Sequence, residues 1–359
     1  MKILFVTPFP PPMGGIGNWS KMVINHLNEN VNDIEARYIN TAPKKRNTDG
    51  RSIFDRIFGG FISILKTIKQ LKKELKEFKP DVVHINTSGS LALFRDIEVL
   101  KILKKQKINS VVFLHFGRVP IIFEKKCLEQ KLLRKVFILT NKVIALDKDT
   151  ENVINDRFEN KAICLPNPFN LSNDIIPKKL DKNNSSNLIT YVGWVIPTKG
   201  IEELVCAWDE INLKFPTWKL QIIGPYQDKY ISELKSKYSF ENIILYGEKP
   251  HDETLKLINI SEVLILPSYT EGFPNVILEA MSLGKAVIAT NVGAISQMFE
   301  NNSGYIIKSK SKDEIVNALN SIMMDDEFRI LLAENALEKV KEYSLQKVVN
   351  LYFNTWRNL

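Results

Sequence analysis

Short runs of valine, isoleucine and leucine recur from end to end of the chain, separated by longer stretches whose apolar residues return at helical spacing. The runs predict strands at Lys2–Thr7, Glu35–Asn40, Val82–Asn86, Ser110–His115, Lys142–Leu146 and Ala162–Leu165 in the first half. In the second half they predict strands at Leu188–Val192, Lys219–Ile223, Ile243–Tyr246, Val263–Leu266, Ala286–Ala289 and Gly304–Ile306. Strands this short and this uniformly apolar are those of a parallel sheet covered on both faces. The helical stretches between them make βαβ crossovers, so the fold class is α/β, with two doubly wound domains in tandem. The polar, pattern-free stretch 177–187 is expected to link a domain over 1–176 to one over 188–344. The last segment, 345–359, carries Val348, Val349, Tyr352, Phe353 and Trp356 on one helical face, too wide an apolar stripe to be left in water. A further helix is expected over Phe61–Lys79, with Phe61, Ile64, Leu65, Ile68, Leu71, Leu75 and Phe78 on one side and six lysines on the other.

Composition narrows the class. The 359 residues are 44% hydrophobic and 25% charged, which is ordinary for a globular protein. No run of 18 apolar residues suggests a transmembrane helix, and the N-terminal run is too short for a signal peptide and reads as a first strand. Cys127, Cys164 and Cys206 have neither pairing nor metal spacing and are expected as buried thiols in a reducing, cytoplasmic compartment. The charge is lopsided: residues 1–180 hold 31 Lys and Arg against 18 Asp and Glu, and residues 181–359 hold 18 against 23. A basic half favours an anionic partner, whether a phosphorylated substrate, a membrane surface or nucleic acid. The lysine-rich segment 44–79, which includes Lys44, Lys45, Arg46, Arg51 and Arg56 beside Phe54, Ile57 and Phe58, is either a solvated helix face or a contact for an anionic membrane. Nothing resembles a base-reading module, so nucleic acid is not expected as a partner.

The stretch 266–291 is the most specific in the chain. It passes from a strand through a loop into a helix and on to a second strand, with Glu271 in the loop and Glu279 on the early turns of the helix. The carboxyl edge of a parallel strand is where an open α/β sheet binds its ligand. Pro274 is expected at the first helical position. The free amides near Asn275 and Val276 then offer an anion site at the positive end of the helix. Glu279 can accept from two vicinal hydroxyls, as on a ribose. The five residues from Asn275 to Glu279 rise about 6 Å, and Glu271 lies further back, so the two carboxylates do not read as a glycosidase pair flanking one bond. An acidic helix start with no ligand is the plainer alternative.

Other candidates sit at strand ends. Gly14 and Gly15 lie in the loop after the first strand, where glycine lets the backbone approach a phosphate. The sequence Gly15-Ile-Gly17-Asn-Trp-Ser20 departs from the dinucleotide fingerprint, and the second strand ends without an acid. His115 and His84 each close a strand, and a satisfied core histidine is the plainer reading of both. Gly193 closes the first strand of the second half and Lys199 follows it. No Asp-x-Asp pattern suggests a metal.

The string Pro267-Ser-Tyr-Thr-Glu271-Gly-Phe-Pro-Asn-Val-Ile-Leu-Glu279-Ala-Met-Ser-Leu-Gly284 resembles the signature of the family 4 retaining glycosyltransferases, a glutamate, seven residues and a glutamate. The resemblance extends along the chain through Gly14-Gly15, Pro80-Asp-Val-Val-His84, Leu114-His115-Phe-Gly117, Leu165-Pro-Asn167-Pro, Tyr191-Val-Gly193, Lys199-Gly200 and Asn291-Val-Gly-Ala. It implies the GT-B fold, two Rossmann-like domains facing across a cleft, with the last helix crossing back to the N-terminal one. It implies a nucleotide-sugar donor, UDP- or GDP-linked, held by the C-terminal domain. Glu279 would hold the ribose and the loop from Gly247 to Pro250 the base. Lys199 and the amides through Gly272, Phe273, Asn275 and Val276 would hold the phosphates, and Glu271 the sugar hydroxyls. Gly14 and Gly15 would cover the diphosphate beside Gly193, and His115 would touch the donor sugar. The acceptor would be a glycan or lipid-linked molecule of surface polysaccharide assembly, reached at the inner face of the cytoplasmic membrane, with no metal or other cofactor. One departure stands out: Trp194 occupies the position where the family has an arginine on the diphosphate, leaving Arg118 and Lys249 as candidates for a second cation. An epimerase-like enzyme that does not transfer, or a nucleotide-sugar-binding protein with weak catalysis, remains the alternative.

Overall fold

The computed structural model describes residues 1–11, 14–31, 33–42, 53–170, 177, 180 and 185–359, with the backbone alone for 53–61. Lys44, Lys45, Arg46 and Arg51 therefore lie outside the described residues, as do the side chains of Phe54, Arg56, Ile57, Phe58 and Phe61. The chain forms two compact units, Met1–Pro168 with Leu345–Leu359, and Phe169–Ser344.

The first unit is built on β1 (Lys2–Thr7), β2 (Glu35–Asn40), β3 (Val82–Thr87), β4 (Asn109–Leu114), β5 (Lys142–Ala145) and β6 (Ala162–Cys164), all parallel, in the order β2-β1-β3-β4-β5-β6. The second is built on β7 (Leu188–Val192), β8 (Lys219–Ile223), β9 (Ile243–Gly247), β10 (Val263–Leu266), β11 (Ala286–Thr290) and β12 (Tyr305–Ile307), also all parallel, in the order β12-β11-β10-β7-β8-β9. Each strand lies within a residue or two of its expected span. Helices cover both faces of each sheet, and the central strands β1, β3, β4, β10 and β11 are buried along nearly their whole length. Two-sided burial is why their sequences read as unbroken apolar runs.

The order reverses between β1 and β3 in the first sheet and between β7 and β10 in the second. Crossovers leave opposite ways at such a point, and the loops beyond the strand ends part to leave a crevice.

The terminal helix Leu345–Arg357 packs in the first unit. Val348, Val349, Tyr352 and Trp356 are buried. The Tyr352 hydroxyl donates to the Pro166 carbonyl at 2.6 Å and accepts from the Trp19 indole at 3.3 Å.

The helix Ile53–Glu77 packs through Thr67, Leu71 and Leu75, with Phe78 just beyond it. Leu65, expected on the buried face, is instead 52% exposed, as is Ile62. At about 100° per residue, Leu65 lies roughly 120° round the helix from Leu71 and falls outside the stripe. The cysteines are free thiols, half-buried where burial was expected.

One buried ionic cluster ties the second unit together. Arg329, 1% exposed, reaches Asp326 at 2.7 Å and Glu262 at 3.4 Å, and donates to the Ile322 carbonyl at 2.8 Å. Glu262 in turn accepts from the Ser186 amide at 2.9 Å, anchoring the chain just before β7. Replacing Arg329 with methionine leaves Glu262 buried without its cation. We expect a loss of about 3 kcal/mol, read as a lower urea midpoint with an unchanged slope.

Candidate active site in the second unit

β7 and β10 are hydrogen-bonded neighbours, with Ile189 opposite Val263 and Thr190 opposite Leu264. Their carboxyl ends therefore deliver Gly193 and Glu271 to one place. Beyond β7 the chain turns through Trp194, whose carbonyl accepts from the Tyr191 hydroxyl at 2.8 Å, and enters the short 3-10 turn Pro197–Lys199. Gly200 follows in the left-handed region at φ +69°, and a Cβ there would lie 2.1 Å from the Pro267 carbonyl oxygen. Only glycine allows the two loops this approach. The Tyr269 amide completes the contact by donating to the Thr198 carbonyl at 3.0 Å.

The consequence is an ion pair between residues 72 apart in sequence: Lys199 Nζ lies 2.5 Å from Glu271 Oε1, with the two side chains 24% and 14% exposed. Glu271 is held from behind as well. Gly293 sits at φ +59°, where a Cβ would lie 2.4 Å from the Glu271 carbonyl oxygen, and the Ala294 amide donates to the Gly272 carbonyl at 3.0 Å. Burial, and then the neighbouring Glu271 charge, hold the Tyr191 phenol well above its ordinary pKa.

The helix Asn275–Ser282 begins directly after Pro274, and no side chain caps it. Pro274 is the residue before the helix, in extended conformation at ψ 106°, and not the first helical residue as its type suggests. The first amides, at Asn275 and Val276, thus start the helix without a capping side chain. Ile277, Leu278, Ala280 and Met281 anchor it in the core, and Glu279 lies half-buried among them. Glu279 Oε1 lies 3.0 Å from Nε2 of His251, the first residue of the helix His251–Asn259, which follows the loop from Gly247 to Pro250. Glu279 and that loop are therefore neighbours. The hydrogen bond to Glu279 raises the His251 pKa against its partial burial, with the Glu279 and Asp252 charges adding to the rise.

Of the expected site residues, Gly193, Lys199, Glu271, Gly272, Phe273, Asn275, Val276, Glu279 and Gly247 lie at the carboxyl edge of the second sheet. Gly14, Gly15 and His115 belong to the first unit. Gly14 is extended, at φ −176°, and precedes the uncapped helix Gly15–Asn30, and a Cβ on Gly15 would meet nothing within 4 Å. His115 comes just after β4, half-buried, with Nε2 2.9 Å from Asn86 Oδ1. Both candidates for a second cation have carboxylate neighbours, as Lys199 does. Arg118 is committed to Glu129 at 2.7 Å, and Lys249 pairs with Glu253 at 3.5 Å. Trp194 itself is 64% exposed. His251, Asn86 and the close approach of Gly293 escape a reading of the sequence, because each is defined by a partner far along the chain.

Residues 172–339, nearly all of the second unit, match the family model of the glycosyl transferases group 1. The second unit is a domain of that group, and the protein is a glycosyltransferase. It is 25% identical to an uncharacterised glycosyltransferase of Methanocaldococcus jannaschii over 97% of this chain and 96% of the other. It is 26% identical to the capsular polysaccharide biosynthesis glycosyltransferase CapM of Staphylococcus aureus, over 82% and 79% of the two chains. In three dimensions the glycosyltransferase resembles Anabaena HepE solved with UDP, at TM-score 0.73 and 17% identity over the whole of both chains. HepE is also known with UDP-glucose. The structural likeness establishes the fold, GT-B.

The His251–Glu279 contact has a pH signature. A histidine whose pKa is raised on folding contributes stability that is fully present below its unfolded value, near 6.5, and lost as pH climbs through the folded value. The His251 ring resonances are expected to titrate above pH 6.5 in the wild type and to return to the ordinary midpoint in Glu279→Gln. A midpoint that stays put in the variant would remove the pairing.

Proposed function

We propose that this glycosyltransferase moves a sugar, with retention of anomeric configuration, from a UDP- or GDP-linked donor to a glycan or lipid-linked acceptor in surface polysaccharide assembly. The observation that carries the reading is the Lys199–Glu271 pair beside the uncapped start of the helix Asn275–Ser282, at the point where the second sheet reverses its order. HepE, which shares the fold, is known with UDP and UDP-glucose, and CapM is a capsular polysaccharide enzyme. Both facts support the donor and acceptor classes.

In this reading Glu279 accepts from the ribose hydroxyls and the loop from Gly247 to Pro250 meets the base. The diphosphate takes the amides of Asn275 and Val276. Lys199 turns from Glu271 to the phosphates, and the freed Glu271 carboxylate accepts from donor-sugar hydroxyls. Charge developing on the leaving diphosphate is then met by dipoles and an ammonium already in position, the form of stabilisation that contributes most to group transfer. Gly193 gives the phosphates room. Gly14 and Gly15 are assigned to the diphosphate and His115 to the sugar. A donor phosphate oxygen takes the acceptor proton, so no carboxylate nucleophile is needed, and the reading calls on no metal.

Calorimetric titration with UDP and GDP tests the donor site. Glu279→Ala is expected to weaken the preferred nucleotide about 10- to 100-fold, the worth of charge-assisted hydrogen bonds. Lys199→Ala is expected to lower turnover more than nucleotide affinity. Undiminished binding by Glu279→Ala sinks the ribose assignment, and release of free sugar or an epimer without acceptor sinks transfer itself.

The acceptor side of the proposal is an anionic membrane surface at the inner face of the cytoplasmic membrane. Ile62 and Leu65 are exposed on the helix Ile53–Glu77, alongside exposed Lys66, Lys69, Lys72, Lys73 and Lys76. No helix among the described residues is long and apolar enough to cross a membrane. Such a face adsorbs through shallow apolar insertion and roughly 1 kcal/mol per lysine near an anionic surface. Flotation with anionic vesicles is expected to carry the protein at low salt and release it at high salt, and Lys69→Glu with Lys72→Glu is expected to abolish flotation. Salt-independent behaviour of the wild type would leave the lysines as a solubility device.

A further inference from the structure

A buried polar chain in the first unit ends on His115, and its donors and acceptors can be assigned without ambiguity. An indole N–H only donates. Trp356 Nε1 lies 3.1 Å from His84 Nδ1, so that nitrogen is bare and the ring proton sits on Nε2. His84 Nε2 lies 3.1 Å from Asn86 Oδ1 and donates to it. The opposite orientation of the amide would set N–H against N–H. The amide nitrogen accordingly donates to Thr7 Oγ1 at 2.8 Å. The same Asn86 oxygen lies 2.9 Å from His115 Nε2, which must therefore carry its proton too. Two N–H groups fill the two lone pairs of that oxygen. What remains is His115 Nδ1, a lone pair with no partner among the described residues, on a ring that is half-buried.

The rings are held firmly. Trp19 stacks on His84 with centroids 5.4 Å apart and meets His115 edge-on at 5.4 Å, and Phe113 packs against His115 at 4.2 Å. Burial drives both imidazoles down to a pKa of about 3, with His84 adding to the fall at His115.

We propose that Trp356, His84 and Asn86 are positioning residues that set His115 in its Nε2–H tautomer and present Nδ1 as a bare acceptor for a hydroxyl of the sugar substrate. The proposal rests on the reading of His115 as a donor-sugar contact and adds to it a direction. A bare imidazole nitrogen accepts from an O–H or N–H and repels a carboxylate. The sugar facing His115 therefore carries a hydroxyl or an amide N–H there, not a uronic acid group. The terminal helix, which supplies Trp356, becomes part of the specificity of the site.

Long-range proton–nitrogen spectra of protein labelled with 15N-histidine test this directly, because the chain has only 4 histidines. His84 and His115 are both expected to show a protonated Nε2 and a bare Nδ1, unchanged from pH 7 to pH 5. Trp356→Phe keeps the ring and removes the donor. It is expected to give mixed tautomers at His84 and His115 and a kcat about fivefold lower, the worth of one neutral hydrogen bond, with UDP affinity unchanged. A protonated Nδ1 at His115 in the wild type, or unchanged tautomers in Trp356→Phe, overturns the relay. Wild-type turnover by His115→Ala removes the sugar contact instead, and the spectra tell the two failures apart.

Discussion

The pairing of β7 with β10 is the constraint on which the rest of the second unit depends. These strands are separated by β8 and β9 in sequence, yet they are neighbours in the sheet, and the order reverses at their seam. Gly193, Lys199, Glu271 and the helix that carries Glu279 all follow their carboxyl ends, while Gly247 ends β9. The seam alone does not bring Lys199 to Glu271. That takes a backbone contact so close that Gly200 cannot carry a side chain without striking the Pro267 carbonyl, and a second at Gly293 against Glu271 itself. The main chain of the loop that carries Glu271 is thus held at Pro267 and at Glu271 itself, while the Glu271 carboxylate is paired with Lys199.

The same logic operates in the first unit with different chemistry. β1, β3 and β4 lie side by side, so Thr7, Asn86 and His115, each at or just beyond the carboxyl end of its strand, converge. They interrupt otherwise apolar strands, and a buried polar group is tolerated only when it is bonded. Each is. The network runs from the hydroxyls of Thr7 and Ser20 through Asn86 to both histidines and ends at Trp356.

The strands were the most legible part of this structure. Burial on both faces removes any need for polar alternation, so β10 and β11 announce themselves as Val-Leu-Ile-Leu and Ala-Val-Ile-Ala-Thr. The site was legible where it is local: Glu271 and Glu279 fall in the loop and on the helix where their spacing put them. It was opaque where it is tertiary. Nothing near Glu279 marks His251, 28 residues away on a helix that packs beside it. Nothing near Lys199 marks the carboxylate that holds it, and Asn86 is an unremarked polar residue until β4 brings His115 to its oxygen. Two local inferences also failed for local reasons. Pro274 took the extended conformation before the helix and not the first turn, since its fixed φ serves either. Leu65 follows an apolar pattern along the chain but sits off the stripe that the sheet covers.

Two ion pairs in the second unit show how burial separates structure from function. Arg329 and Glu262 are almost fully enclosed, with side chains 2% and 4% exposed. Charges so far from water cannot part without a penalty of several kcal/mol, and that pair is there to hold the chain ahead of β7. Lys199 and Glu271 lie closer together, yet their side chains keep 24% and 14% exposure. Water at the rim repays part of the loss when they separate. In the proposed function, an entering diphosphate gives Lys199 a second anion to pair with, and the donor sugar gives Glu271 hydroxyl donors in place of the ammonium. A tighter, drier pair would resist the donor, and a fully exposed one would leave both groups unplaced.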